Sequence, residues 1–132
     1  YAALSEIEEV DIVGHIDLLT KFDEQGSFFQ PDSARFLKAA VDAIDVLIAA
    51  GKIFEINTGA ISRGYRTTPY PSATLLREIV LREGKITISA DAHRAQDVTC
   101  RFAESESLAR ACGATELWQF NGKGFEPIPI GG

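Results

Sequence analysis

The chain has 132 residues, a formal net charge of −6 and a hydrophobic content of 45%. This length and composition suffice for one folded domain with a core, so a disordered chain is not expected. The acidic balance disfavours a nucleic-acid polymer or an anionic membrane surface as a partner, but local arginines could still hold a small anionic substrate. The sequence shows no signal peptide and no apolar run long enough to cross a bilayer.

Strand-like segments alternate with helical patterns along the chain. Each strand-like segment is rich in β-branched or aromatic residues and is bounded by turn residues, which is typical of buried strands. Residues 1–9 precede them and have the composition of a helix end. The sequence predicts strands over residues 10–17 (VDIVGHID), 52–58 (KIFEINT), 85–92 (KITISADA) and 115–121 (TELWQFN).

The helical patterns lie between these strands and carry clear start and stop signals. The first has Asp32 or Ser33 as N-cap and Gly51 as its end, and the second has Ser72 as N-cap and Gly84 as its end. A short helix or turn over residues 97–102 precedes the last one. The sequence predicts helices over residues 33–50, 72–83 and 105–112.

Strict alternation of strands and helices predicts an α/β fold of parallel strands joined by crossover helices. After the fourth strand this order ends, because Asn121-Gly122 is a turn signal and the prolines of the FEPIPI tail fit only an edge strand. Four parallel strands alone would leave open edges. We therefore expect part of a larger sheet or barrel, whose edges could pair with a second copy of the chain.

The two cysteines and the first residue bear on the origin of the chain. Cys100 and Cys112 form no C-x-x-C motif, which excludes a zinc ribbon, and unpaired thiols suit a reducing cytoplasm. The sequence has no methionine, and Tyr1 is a residue that initiator processing would not normally expose. We expect Tyr1 to lie inside a longer gene product.

Polar side chains gather at the predicted carboxyl ends of three neighbouring strands. Functional sites of barrels and open α/β sheets collect at these ends. Both histidines of the chain lie there. The first strand ends with His15 and Asp17, the second carries Glu55 and Asn57, and the third is followed by Asp91 and His93.

The spacing of Asp91 and His93 suits metal binding. Alternation along a strand puts both on one side, with Cα atoms roughly 6 to 7 Å apart. They could bind one metal ion or two neighbouring ions, with His15 as a third ligand. Alternatively, Asp91 caps the following turn and each histidine only forms hydrogen bonds. A D-x-H pattern is a weak signal by itself, and the joint placement of the three residues favours the metal site.

The loop over residues 57–72 (NTGAISRGYRTTPYPS) follows the second strand and carries Arg63 and Arg66. Guanidinium groups and free backbone N–H groups are what a phosphate monoester requires. The alternative is a solvated loop with surface arginines. Because the loop leaves the strand end that carries Glu55, we predict that Arg63 and Arg66 bind phosphate.

The segments DIVGHIDLLTKFDE, KIFEINTGAISRGYRTTPYPS and SADAHRAQDV resemble successive motifs of the PHP-domain phosphoesterases, most closely the PHP-type histidinol-phosphate phosphatases. The resemblance implies a distorted seven-stranded (β/α) barrel, of which residues 1–132 would be the C-terminal half within a single PHP domain. It also implies two or three divalent ions in the complete site, commonly zinc, manganese or iron. The H-x-H motif that opens the family's domain has no counterpart in this sequence.

Carried onto the matching positions, the resemblance assigns roles to the strand-end residues. Asp91 and His93 would take part in catalysis, and Arg63 and Arg66 would hold the substrate phosphate. The metal ligands would be His15, Asp91 and His93, and Glu55, Asn57 and Asp17 would support them without binding metal.

The resulting expectation is a metal-dependent phosphatase that, in its complete form, hydrolyses L-histidinol phosphate to L-histidinol and phosphate. One alternative keeps the chemistry and changes the substrate to a nucleotide or another small phosphomonoester. The other is a non-catalytic fragment or scaffold. Because the remaining ligands would come from the missing N-terminal half of the barrel, we expect little activity from this chain alone.

Overall fold

The computed structural model describes residues 1–28 and 30–131. Within these residues three helices lie close to the predicted ranges, and a short further helix lies within residues 57–72, which were predicted as a loop. The helices are α1 (Ala34–Ala49), α2 (Gly59–Ser62), α3 (Ala73–Leu81) and α4 (Phe102–Ala111), with 3-10 helices at Ala2–Glu6, Leu18–Thr20 and Ala95–Asp97. The strands are β1 (Ile12–Val13), β2 (Ile53–Asn57), β3 (Lys85–Ser89), β4 (Glu116–Phe120) and β5 (Phe125–Pro129). Among these helices, none is both long and apolar enough to cross a membrane.

Helices α1 and α3 form where the cap residues and the apolar pattern agree. The Ser33 hydroxyl accepts a hydrogen bond from the Phe36 N–H, and the Ser72 hydroxyl accepts one from the Leu75 N–H. Each cap satisfies an N–H that the first turn leaves without a helical partner. The chain leaves α1 at Gly51, whose φ of 75° suits a residue without a side chain.

The strands β1, β2 and β3 form one parallel sheet with β2 in the centre. This confirms the predicted parallel α/β arrangement for the first three strands. Side chains alternate across β2, so Phe54 and Ile56 point into the core while Glu55 lies on the opposite face. The core combines this face of the sheet with buried side chains of α1, α3 and α4, among them Ile44, Leu47, Leu75, Leu76, Ile79 and Ala109.

The prediction of a fourth parallel strand is wrong. Strand β4 pairs with β5 in an antiparallel hairpin, and these two strands form a separate sheet. The Asn121 side chain accepts hydrogen bonds from the Lys123 and Gly124 N–H groups, and Gly122 has a φ of 92°, so the turn folds locally. Because the turn is short, β4 pairs with the segment that directly follows it. The prolines lie in β5, which pairs only with β4 among the described residues.

The first strand is also shorter than predicted. Only Ile12 and Val13 pair with β2, although the apolar run extends over residues 10–17. The backbone turns at His15, where φ is 47°. This turn ends the strand and leaves the His15 side chain partly exposed at the carboxyl edge of the sheet.

Candidate active site

The three side chains proposed as metal ligands lie together at the carboxyl edge of the parallel sheet. His15 follows β1, and Asp91 and His93 follow β3. The His15 Nε2 atom is 3.8 Å from Asp91 Oδ2, and the His93 Nε2 atom is 3.8 Å from Asp91 Oδ1. Asp91 therefore lies between the two imidazoles, with one carboxylate oxygen towards each.

The backbone holds two members of this group, His15 and Asp91, in an unfavourable conformation. His15 has a φ of 47° and Asp91 a φ of 45°, values that side-chain-bearing residues seldom adopt. Such geometry costs about 1–2 kcal/mol for each residue and persists only where the surrounding structure enforces it. The Tyr1 hydroxyl donates to the His15 carbonyl oxygen at 2.5 Å, and the Ser89 hydroxyl accepts from the Asp91 N–H at 3.3 Å. Strained backbone of this kind is concentrated at functional sites.

Arg63 fixes the orientation of Asp91. Its Nη2 atom donates to Asp91 Oδ2 and its Nη1 atom to the Asp91 carbonyl oxygen, both at 2.9 Å. This fork needs the space above Gly59, where a Cβ atom would lie 2.9 Å from both Arg63 terminal nitrogens and from the Ala90 carbonyl oxygen. Glycine at this position lets the guanidinium reach across the start of α2 to the end of β3.

A cleft of about 410 Å³ opens over these residues. Sequence reasoning missed part of its wall, because Lys21, Tyr65 and Tyr70 match no ligand spacing. Only their position in the sequence could have indicated these residues, because Lys21 lies in the loop after β1 and both tyrosines lie in the loop after β2. The residues that line the cleft are His15, Leu18, Lys21, Ala60, Arg63, Tyr65, Tyr70, Asp91 and His93.

Arg66 does not line this cleft. It is 8% exposed, and its Nη1 atom donates to the Thr20 hydroxyl at 2.5 Å and to the Thr20 carbonyl oxygen at 3.1 Å. Other guanidinium nitrogens donate to the carbonyl oxygen and hydroxyl of Thr68, and the group stacks 4.5 Å from the centre of the Tyr70 ring. The structure thus brings Arg63 to Asp91 and uses Arg66 to join two loops. Phosphate binding by Arg66 stays a prediction.

The supporting residues position the loops around the cleft. The Asn57 side chain is buried, donates to Glu55 Oε2 at 3.0 Å and accepts from the Gly59 N–H at 2.9 Å, which places the start of α2. Asp17 is 1% exposed and accepts from the Ser72 N–H at 2.8 Å. Burial raises the pKa of Asp17, although this hydrogen bond and the nearby Arg66 oppose the rise. These hydrogen bonds are to Glu55 and to the starts of α2 and α3.

Glu24 connects the loop after β1 to the loop after β2. It accepts hydrogen bonds from the N–H and hydroxyl groups of both Thr67 and Thr68. Partial burial disfavours the ionised form, but these hydrogen bonds outweigh it and lower the pKa of Glu24 from 4.5 to about 2. The carboxylate is therefore a pH-dependent support of the cleft wall.

We expect Glu24 to make stability fall in acid. Because the folded pKa is below the unfolded one, its contribution is present above about pH 4.5 and is lost as pH falls towards about 2. Urea unfolding of wild type and Glu24→Gln should show the variant less stable at neutral pH, with the gap closing in acid. The exposed Glu9→Gln serves as control. A gap that is constant from neutral pH to about pH 3 would contradict this assignment.

The donor set fits a divalent ion in type but is not arranged as a finished site. Two imidazole nitrogens and a carboxylate suit zinc, iron or manganese. Within residues 1–28 and 30–131, however, no group of three or more His, Cys, Asp or Glu side chains is placed to hold a metal ion. Asp91 Oδ2, which faces His15, instead accepts a hydrogen bond from Arg63. The donor types thus suit a divalent ion, but the described residues do not form a metal site.

Comparison with known proteins gives an independent line of evidence. No protein-family model matches the sequence. A protein of Schizosaccharomyces pombe named "Probable histidinol-phosphatase" is 31% identical over 107 residues, which is 80% of this chain and 35% of that protein. One of the same name from Deinococcus radiodurans is 30% identical over 106 residues, or 78% of this chain and 36% of that protein. The chain thus spans about a third of the length of these relatives. As its motifs predicted, the chain is similar over about four fifths of its length to two proteins named "Probable histidinol-phosphatase".

Proposed function

We propose that the protein, in its complete form, is a metal-dependent phosphomonoester hydrolase that converts L-histidinol phosphate to L-histidinol and phosphate. The observation that carries this proposal is the position of Asp91 between His15 and His93, 3.8 Å from each imidazole, at the carboxyl edge of a parallel sheet. The sequence relation to proteins named for this activity supports the choice of substrate. We also propose that the complete protein folds as a distorted (β/α) barrel and is located in the cytoplasm.

In this proposal, His15, Asp91 and His93 hold part of a cluster of divalent ions. When bound, such ions supply charge neutralisation and a nucleophile that is active at neutral pH. The other ligands would come from further parts of the complete protein, since its relatives are longer than this chain. Incomplete coordination would bind metal weakly, so we expect residues 1–132 alone to be a poor catalyst.

The residues of this chain would orient the Asp91 carboxylate and neutralise negative charge on the phosphoryl group. Arg63 keeps the Asp91 carboxylate in one orientation through two hydrogen bonds of 2.9 Å. In this proposal, Asp91 would also accept or steer a proton from the attacking water. The Arg63 guanidinium also brings positive charge to the cleft, where negative charge grows on the phosphoryl oxygens during transfer.

Phosphate release by the complete gene product tests this function. We expect kcat/KM for L-histidinol phosphate to exceed that for nucleoside monophosphates and p-nitrophenyl phosphate by at least about tenfold. A chelator should abolish turnover, and added manganese or zinc should restore it. Equal or faster hydrolysis of a nucleotide would reassign the substrate. Full turnover in the presence of chelator would overturn the metal dependence.

A further inference from the structure

Lys21 brings a second positive charge to the cleft. It follows the 3-10 helix Leu18–Thr20, and its side chain lines the cleft together with Arg63, Asp91 and His93. The Lys21 Nζ atom lies 5.1 Å from the ring centre of Phe22 and 5.1 Å from that of Tyr65. The ammonium is thus held between two rings at the margin of the cleft.

The ammonium of Lys21 has no carboxylate partner among the described residues. None of the ion pairs formed within residues 1–28 and 30–131 includes it, and no protein oxygen there accepts a hydrogen bond from its Nζ atom. Arg63, in contrast, bonds to Asp91, and Arg66 bonds to Thr20 and Thr68. The N–H groups of the Lys21 ammonium are therefore available to donate hydrogen bonds to a ligand in the cleft.

The two rings account for the position of the ammonium. Phe22 is 75% exposed and Tyr65 49%, so neither ring is placed there by burial in the core. Their centres are 5.6 Å apart at an interplanar angle of 78°, an edge-to-face pair that stabilises both rings. Each ring face attracts a cation electrostatically. The exposed pair thereby restricts where the Lys21 ammonium lies without neutralising its charge.

We propose that Lys21 is the residue that anchors the substrate phosphoryl group in this cleft and that Phe22 and Tyr65 position it. This proposal rests on the phosphatase function and assigns phosphate recognition to a residue outside the two arginines. A compact ammonium with three donors can bond one non-bridging oxygen while Arg63 remains on Asp91. Charge-assisted hydrogen bonds of this type are among the strong ones.

Inorganic phosphate is the probe that separates this proposal from the phosphatase function. When phosphate is titrated into the 132-residue chain, the backbone amide NMR signals of Lys21, Phe22 and Tyr65 should shift. We expect Lys21→Gln to raise the Kd for phosphate about tenfold or more and Lys21→Arg to restore most of the affinity. Phe22→Leu and Tyr65→Leu should raise the Kd for phosphate by smaller factors, because the Lys21 charge stays but its position is less restricted.

The control is Lys38→Gln, since Lys38 lies on α1 and pairs with Asp42 away from the cleft. In the complete gene product, Lys21→Gln should raise KM for the phosphomonoester and the inhibition constant of phosphate by the same factor, with an unchanged melting temperature. Phosphate binding that is absent in wild type, or unchanged in Lys21→Gln, would overturn the anchor. If the complete protein hydrolyses no phosphomonoester, the function fails, and a Lys21-dependent Kd would still support anion recognition at this place.

Discussion

Replacing Asp91 with asparagine in the complete protein is expected to lower kcat for phosphomonoester hydrolysis by about 10²- to 10⁴-fold. The change removes the negative charge that lies between His15 and His93 while keeping the shape of the side chain. A bound ion would lose a charged ligand, and the attacking water would lose its proton acceptor. Phosphate release and metal content per chain, measured on the same preparation, check both consequences.

The matched control for this variant is Asp42→Asn. Asp42 is an exposed carboxylate on α1 that pairs with Lys38, and its loss should leave kcat unchanged. The melting temperature of the Asp91 variant should stay close to that of wild type, because the amide oxygen can still accept from Arg63. Wild-type turnover and metal content in Asp91→Asn would remove this residue from the mechanism.

Replacing Arg66 with methionine is expected to lower the free energy of unfolding by about 2–4 kcal/mol. The guanidinium is 8% exposed and joins the loop of Thr20 to the loop of Thr68, so its loss removes charge-assisted hydrogen bonds to both loops. Stacking on the Tyr70 ring would also change. Urea unfolding followed by circular dichroism gives the size of the effect.

The same variant tests whether Arg66 binds phosphate. Arg77→Met, an exposed substitution on α3, should change stability by less than about 0.5 kcal/mol and serves as its control. We expect folded Arg66→Met to retain the wild-type Kd for inorganic phosphate. Wild-type stability together with a strongly raised Kd would instead give Arg66 the binding role that its sequence position predicted.

Local signals made α1, α3 and α4 predictable to within three residues at each end, whereas α2 lies in a segment predicted as a loop. The caps at Ser33 and Ser72 are short-range hydrogen bonds, and Gly51 ends α1 through its own backbone conformation. The pairing of β4 was predicted wrongly because alternation of elements was weighed above the turn at Asn121. Sequence order shows that two elements follow each other, whereas a tight turn decides which strands form hydrogen bonds.

The candidate site likewise has features that the sequence predicted and features that depend on tertiary structure. Strand-end reasoning placed His15, Asp91 and His93 at one edge because parallel strands end on the same side. It could not separate Arg63 from Arg66, which lie three positions apart in one loop. Their directions depend on the single turn of α2 and on the space above Gly59, which are tertiary features. Lys21 was missed because its relation to Tyr65 arises only when two distant loops meet.

The left-handed backbone at His15 and Asp91 sets stability against chemistry at these two positions. Glycine would adopt the same φ values at lower cost, so a selection for thermal stability alone would favour losing the two side chains. Heat-stable variants of this protein should therefore be screened for activity as well. Conversely, retention of these two residues in a stabilised variant means that the stability was gained elsewhere in the fold.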